Sequence, residues 1–160
     1  MSSNIHNKTH FFICVLLWVL VSACMIVIYL LSSQIADESA KLSNEFLAKI
    51  MELFNITMEP YTIRKIAHGL EYFGLAILIF NASYQTWQKS KPYFSFIFTL
   101  LFAISDEIHQ IFVPGRACRF FDVCVDSIGA IAGILLCLSA VYIINKLKRR
   151  RKLCKEKPTK

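Results

Sequence analysis

Charge is what this sequence has least of. Of its 160 residues only 18% are charged while 56% are hydrophobic, whereas a soluble domain carries roughly 25% and about 45–50% respectively. An ordinary soluble globule is thereby excluded, and the length excludes a multidomain enzyme. Standard catalytic signatures are missing too. No G-x-S-x-G, H-E-x-x-H or Walker phosphate loop is present, so no familiar motif points to a reaction. No repeat or low-complexity tract occurs. Basic residues are confined rather than spread: residues 146–160 hold nine of the 18 and one acid, Glu156. The tail alone is +8, and the other 145 residues sum to −1. A nucleic-acid footprint distributed over a fold is excluded, and no nucleic-acid partner is expected.

What is present is long apolar sequence. Phe11 to Leu31 is a 21-residue run without charge, enough for a hydrocarbon core of roughly 30 Å and too long for a secretory signal core of about 7–15 residues. Val21-Ser22-Ala23-Cys24 resembles a lipoprotein cleavage box, but Met25 to Leu31 stays apolar beyond it, so a plain membrane helix is expected. Three further spans carry polar interruptions. They are 67–85, 93–113 and 123–144, and the second must run through Asp106, Glu107, His109 and Gln110 to be long enough. Lys8, the pair Lys89 and Lys91, and the basic tail are placed in the cytoplasm by the positive-inside rule. The ionisable groups inside spans two, three and four then all lie at the outer end. Charges at membrane depth cost at least about 2.5–3.5 kcal/mol each, which makes their placement there informative.

Between spans one and two, Leu42, Phe46, Ile50, Leu53 and Phe54 follow helical spacing, with Lys41, Glu45, Lys49 and Glu52 on another face. Glu45 and Lys49 form an i, i+4 pair in the favourable order. The pattern predicts an extracytoplasmic amphipathic surface helix that ends at Pro60. The fold class expected is therefore all-α: an integral membrane protein with a bundle of four transmembrane helices and this surface helix. Residues 1–145 form one membrane domain and 146–160 a basic cytoplasmic tail suited to anionic lipid contact.

The outer ends hold the candidate site. Lys65, His68 and Tyr72 share a helix face, with Glu71 beside it. Asp106, His109, Gln110 and Val113 share another, with Glu107 adjoining. On the last span Asp122, Asp126, Gly129 and Gly133 align, and Gly129-x-x-x-Gly133 lets a second helix approach closely. A close helix would gather acids (Glu71, Asp106, Glu107, Asp122, Asp126), bases (Lys65, Arg116, Arg119) and histidines, nearly balanced in charge, so that mutual pairing is expected. Glu107 with His109 or His68 is the candidate catalytic base. Arg116 and Lys65 suit a phosphate or carboxylate. Glu71, His68, Asp106 and His109 offer metal-donor atoms, but their spacing matches no zinc signature, and neither a metal nor another cofactor is expected. Cys14, Cys24 and Cys137 read as small apolar residues of helices. Cys118 and Cys124 are the pair able to meet, across five residues.

The series Arg64-Lys65-x-x-His68-x-x-Glu71-Tyr72, Asp106-Glu107-x-x-Gln110-x-Phe112-x-Pro114-Gly115-Arg116 and Asp122-x-x-x-Asp126-x-x-Gly129-x-x-x-Gly133 resembles the VanZ-like family. Those are small bacterial membrane proteins named for one that lowers susceptibility to teicoplanin. Ser32-Ser33-Gln34 fits that pattern as well, while Asp126 stands where the family usually has Asn. The resemblance implies a multi-pass protein of the bacterial cytoplasmic membrane linked to envelope-drug resistance. The ligand set would be Lys65, His68, Glu71, Tyr72, Asp106, Glu107, Gln110, Arg116, Asp122 and Asp126. Candidate partners are membrane lipids, a lipoglycopeptide or lipid-linked envelope precursor, and a second membrane protein. The alternative is a membrane-embedded hydrolase or transferase acting on lipid-linked or phospholipid headgroups.

Overall fold

The computed structural model describes residues 2–33, 60–114, 116 and 118–155. These form four helices: α1 (Ser2–Ser32), α2 (Pro60–Trp87), α3 (Pro92–Gln110) and α4 (Phe120–Lys155). The surface helix expected at 42–54 lies outside the described residues. Each helix begins before the apolar run that marks it, and α1, α2 and α4 also end beyond theirs, because polar turns at the margins carry the backbone ladder on past the apolar stretch. Pro60 opens α2, as befits a residue whose missing N–H is an orphan in a first turn anyway. α3 stops at Gln110 and gives way to turns through Val113, so it is shorter than the 93–113 span expected.

Among the described residues three stretches are long and apolar enough to cross a membrane: Lys8–Ser32, Lys65–Trp87 and Phe120–Lys152. α3, with 19 residues, is about 28 Å long at about 1.5 Å per residue. The connection between α2 and α3 is tight. Gln88 adopts a left-handed φ of 53° at the end of α2, the conformation that commonly ends a helix, and Pro92 starts α3 with its φ preset.

The chain runs up and down four times, and α2 is its centre. One face of α2 (Tyr72, Leu75, Ile79, Ala82) packs with Val21 and Ile28 of α1 and Ala103 of α3. Another face (Ala76, Phe80) packs with Ala130 and Ile134 of α4. Phe94, Phe98 and Phe102 of α3 are half-buried against the first cluster and Phe96 against the second, which makes them bundle packing. By contrast, α1 turns Phe11, Phe12, Leu16, Val19, Ile26 and Leu30 outward. So large an apolar surface is compatible with lipid and not with water.

The tightest seam joins α2 and α4. A Cβ on Gly133 would sit 2.6 Å from the carbonyl oxygen of Phe73, and one on Gly129 would overlap the carbonyl of Gly69. Backbone meets backbone there, and only glycine allows it. That approach fixes how α4 presents its first two turns, Asp122 and Asp126 among them, to α2.

Candidate functional site

One end of the bundle collects the C-termini of α1 and α3 and the N-termini of α2 and α4; the basic tail extends from the opposite end. Asp106, Glu107 and Gln110 of α3 and Asp126 of α4 are buried there, together with Ser32 of α1 and Tyr72 of α2. Asp106 and Gln110 lie one helical turn apart on the buried face of α3. Ser32 Oγ donates to Asp106 Oδ2 at 2.6 Å, and Gln110 Nε2 donates to Ser32 Oγ at 2.9 Å and to the same Asp106 oxygen at 3.2 Å. This triangle ties α1 to α3. Charge-assisted bonds of this kind are roughly twice as strong as neutral ones.

Glu107 points elsewhere. Its Oε2 accepts the backbone N–H of Arg119 at 2.9 Å, which fastens the loop before α4 to the end of α3. The bond uses the Arg119 main chain and not its guanidinium. Lys65 pairs with Asp122 across α2 and α4, and Asp122 also sits in the first turn of α4, where the helix dipole favours a negative charge. Arg116 Nη2 donates to the Leu31 carbonyl at 3.3 Å, so the loop after α3 reaches the end of α1. The expected mutual pairing is realised at Lys65–Asp122, while Glu107 Oε2 and Arg116 Nη2 meet main-chain groups.

His68 and Glu71 form a partly exposed pair at the edge of this region, with Nδ1 3.4 Å from Oε2 and side-chain exposures of 17% and 25%. Behind them the interior is acidic. The Tyr72 hydroxyl lies in the field of Asp106, Asp126, Glu71 and Glu107, and His68 in that of Glu71, Asp126 and Asp106. Among the described residues three buried oxygens here lack a hydrogen-bond partner, the Tyr72 hydroxyl, Asp106 Oδ1 and Asp126 Oδ1, while Glu71 Oε2 faces His68 Nδ1. Each such buried atom costs about 1–3 kcal/mol. Chemically the region is rich in acceptors and negative charge, with a half-open edge at His68 and Glu71.

His109 belongs to a different contact. It stacks on Tyr29 with ring centroids 4.4 Å apart, and its Nε2 lies 3.0 Å from Ser33 Oγ. The four donors considered together from the sequence are therefore divided between two places. Among the described residues no group of three or more His, Cys, Asp or Glu side chains is placed to hold a metal ion. Cys118 is exposed and Cys124 half-buried, and both are free thiols.

Sequence reasoning left Ser32 out of the candidate ligand set, although it is fully buried and central to the polar triangle. The available signal was its place in the Ser32-Ser33-Gln34 pattern that closes the first helix. The Leu31 carbonyl carried no signal, since its partner Arg116 lies 85 positions away. A protein-family model described as VanZ/LLP1 matches residues 13–144. No curated protein and no solved structure matches the chain.

Proposed function

The chain belongs to the VanZ-like family, and from that premise we propose that it acts in the bacterial cytoplasmic membrane to reduce sensitivity to a teicoplanin-type glycopeptide or another envelope-active agent. In this reading α3 crosses as a fourth span, both termini are cytoplasmic, and the acidic end faces outward. Lys65, His68, Glu71, Tyr72, Asp106, Glu107, Gln110, Arg116, Asp122 and Asp126 form or frame a site for an acylated or lipid-linked ligand. Lys65 and Arg116 meet its anionic groups, and the acids orient its polar ones.

The observation that supports this reading is the burial of Asp106, Glu107 and Asp126 at one end of an otherwise apolar bundle. Carboxylates at that depth are costly to a fold and mark binding or transport pathways in membrane proteins. The test is drug susceptibility in a sensitive Gram-positive host carrying no protein, wild type or Glu107→Gln at matched membrane levels. Wild type is expected to raise the inhibitory concentration of teicoplanin, and Glu107→Gln to abolish most of the gain. Undiminished protection by the variant refutes a role for the acidic end.

A second reading is favoured by the His68–Glu71 pair, an imidazole oriented by a carboxylate at an accessible edge. That is the arrangement of a general base, and it suits a hydrolase or transferase working on lipid-linked headgroups. Lipid profiles of cells with and without the protein separate the two, since an enzyme leaves an altered lipid and a binder does not.

A further inference from the structure

Among the described residues, buried oxygens on three helices at the acidic end lack a hydrogen bond. Tyr72 is fully buried, its hydroxyl has no hydrogen-bond partner among the described residues, and Asp106, Asp126, Glu71 and Glu107 act on it electrostatically. Asp106 and Asp126 are 3% and 2% exposed, and each keeps one carboxylate oxygen without a hydrogen bond among the described residues. Glu71 Oε2, at the accessible edge, faces His68 Nδ1 at 3.4 Å. The Tyr72, Asp106 and Asp126 oxygens come from three helices, so no single side-chain rotation satisfies them all. The two carboxylate oxygens call for a positively charged group with several N–H or O–H donors, and the Tyr72 oxygen can accept from the same group.

A primary ammonium group has that description: three donors, one charge, no lone pair. A quaternary ammonium carries the charge without the donors. A hard divalent cation asks for six or more oxygens at roughly 2.0–2.6 Å, a convergence that the described carboxylates do not make. We propose that the acidic end of the bundle binds a primary ammonium group, admitted past His68 and Glu71 and held by Asp106, Asp126 and the Tyr72 hydroxyl. This deepens the binding role proposed above by naming the ligand's chemistry, and it rests on that reading only for where the ammonium group comes from. The group belongs either to an aminolipid headgroup in the surrounding leaflet or to a soluble amine, such as an amino sugar.

The full-length protein in lipid nanodiscs tests both sources. In one arm the discs contain phosphatidylethanolamine or, in its place, phosphatidylcholine, whose headgroup has the same charge and no N–H. In the other arm the discs are phosphatidylcholine throughout, and free ethanolamine, choline, sodium or magnesium is titrated in. The readouts are the melting midpoint and displacement of a fluorescent aminolipid. Phosphatidylethanolamine is expected to bind at least about tenfold tighter than phosphatidylcholine, the size of one charge-assisted hydrogen bond. Stabilisation by free ethanolamine but not by choline assigns the soluble source and equally supports the site.

Asp126→Asn is expected to weaken binding about tenfold or more. Tyr72→Phe weakens it several-fold while leaving the melting midpoint without amine unchanged or raised, because it deletes an orphaned hydroxyl. That second variant keeps the test decisive if Asp126→Asn misfolds. Equal responses to ethanolamine, choline and metal ions overturn the proposal, as does no response to any of them. Amine binding by a protein that leaves drug susceptibility unchanged upholds the ammonium site and refutes the resistance role; the reverse pattern refutes the site alone.

Discussion

Gly133→Ala puts the α2–α4 seam under a measurable load. The added Cβ would lie 2.6 Å from the Phe73 carbonyl oxygen, whereas ordinary contact begins at 3.4 Å. The helices must therefore separate locally by about 0.8 Å. Overpacking typically costs about 1–3 kcal/mol, and the obstacle here is backbone, which cannot rotate aside, so about 3 kcal/mol is the appropriate figure. Alanine returns up to about 1 kcal/mol of helix propensity. The net loss of about 2 kcal/mol corresponds to a fall in melting midpoint of roughly 4–8 °C for a chain of this size. Gly129→Ala is expected to be worse, since its Cβ would overlap the Gly69 carbonyl outright. Gly74 is the internal control: it is helical, with nothing within 4 Å of its built Cβ, so Gly74→Ala is expected to be neutral or to gain up to about 1 kcal/mol. The assay is thermal unfolding of the three variants in one detergent, followed by circular dichroism. Equal midpoints for Gly74→Ala and Gly133→Ala refute backbone contact between α2 and α4.

Ser32→Ala leaves Asp106 Oδ2 with Gln110 as its remaining donor and is expected to destabilise by about 1–3 kcal/mol, seen as a lowered midpoint in the same melts; Ser33→Ala, whose hydroxyl is half-buried, costs less. Arg119→Ala is expected to be nearly silent in both stability and protection, because Glu107 takes the main-chain N–H, while Arg119→Pro removes that bond and destabilises by about 1–3 kcal/mol. Lys65 and Asp122 are 15% and 13% exposed, between the surface and buried regimes, so Lys65→Met or Asp122→Asn alone costs about 2 kcal/mol and the double variant costs less than the two combined; strict additivity in the cycle refutes the pair. With Cys118 kept as the single cysteine, an impermeant maleimide is expected to label intact cells; labelling only after lysis reverses the proposed orientation.

Much of this molecule is legible in its composition because a membrane imposes a simple rule. A backbone in hydrocarbon has to satisfy its own polar groups, so an apolar run of the length of Phe11–Leu31 has to be helical. The same simplicity exposes the candidate residues: Asp106, Glu107 and Asp126 are conspicuous as acids inside apolar runs, and Gly129-x-x-x-Gly133 announces a close seam. Spacing along one helix, however, places residues only on a face. It left His109 beside Asp106 and Gln110, and the bundle does set all three against the end of α1, but at separate contacts: Asp106 and Gln110 meet Ser32, while His109 meets Tyr29 and Ser33.

Partnership is what the tertiary structure decided. Charge counting expected acids and bases to cancel in pairs, and Lys65 with Asp122 did so. Glu107 took a main-chain N–H instead, and Ser32, an unremarkable residue at a helix end, became the donor to Asp106. Those outcomes depend on which helix ends coincide in height and on how closely α4 can approach α2. Neither quantity is local: both follow from packing between residues distant in the chain, and so the sequence specifies the helices and their polar ends by itself, while the unmet acceptors between those ends exist only once the four helices are assembled.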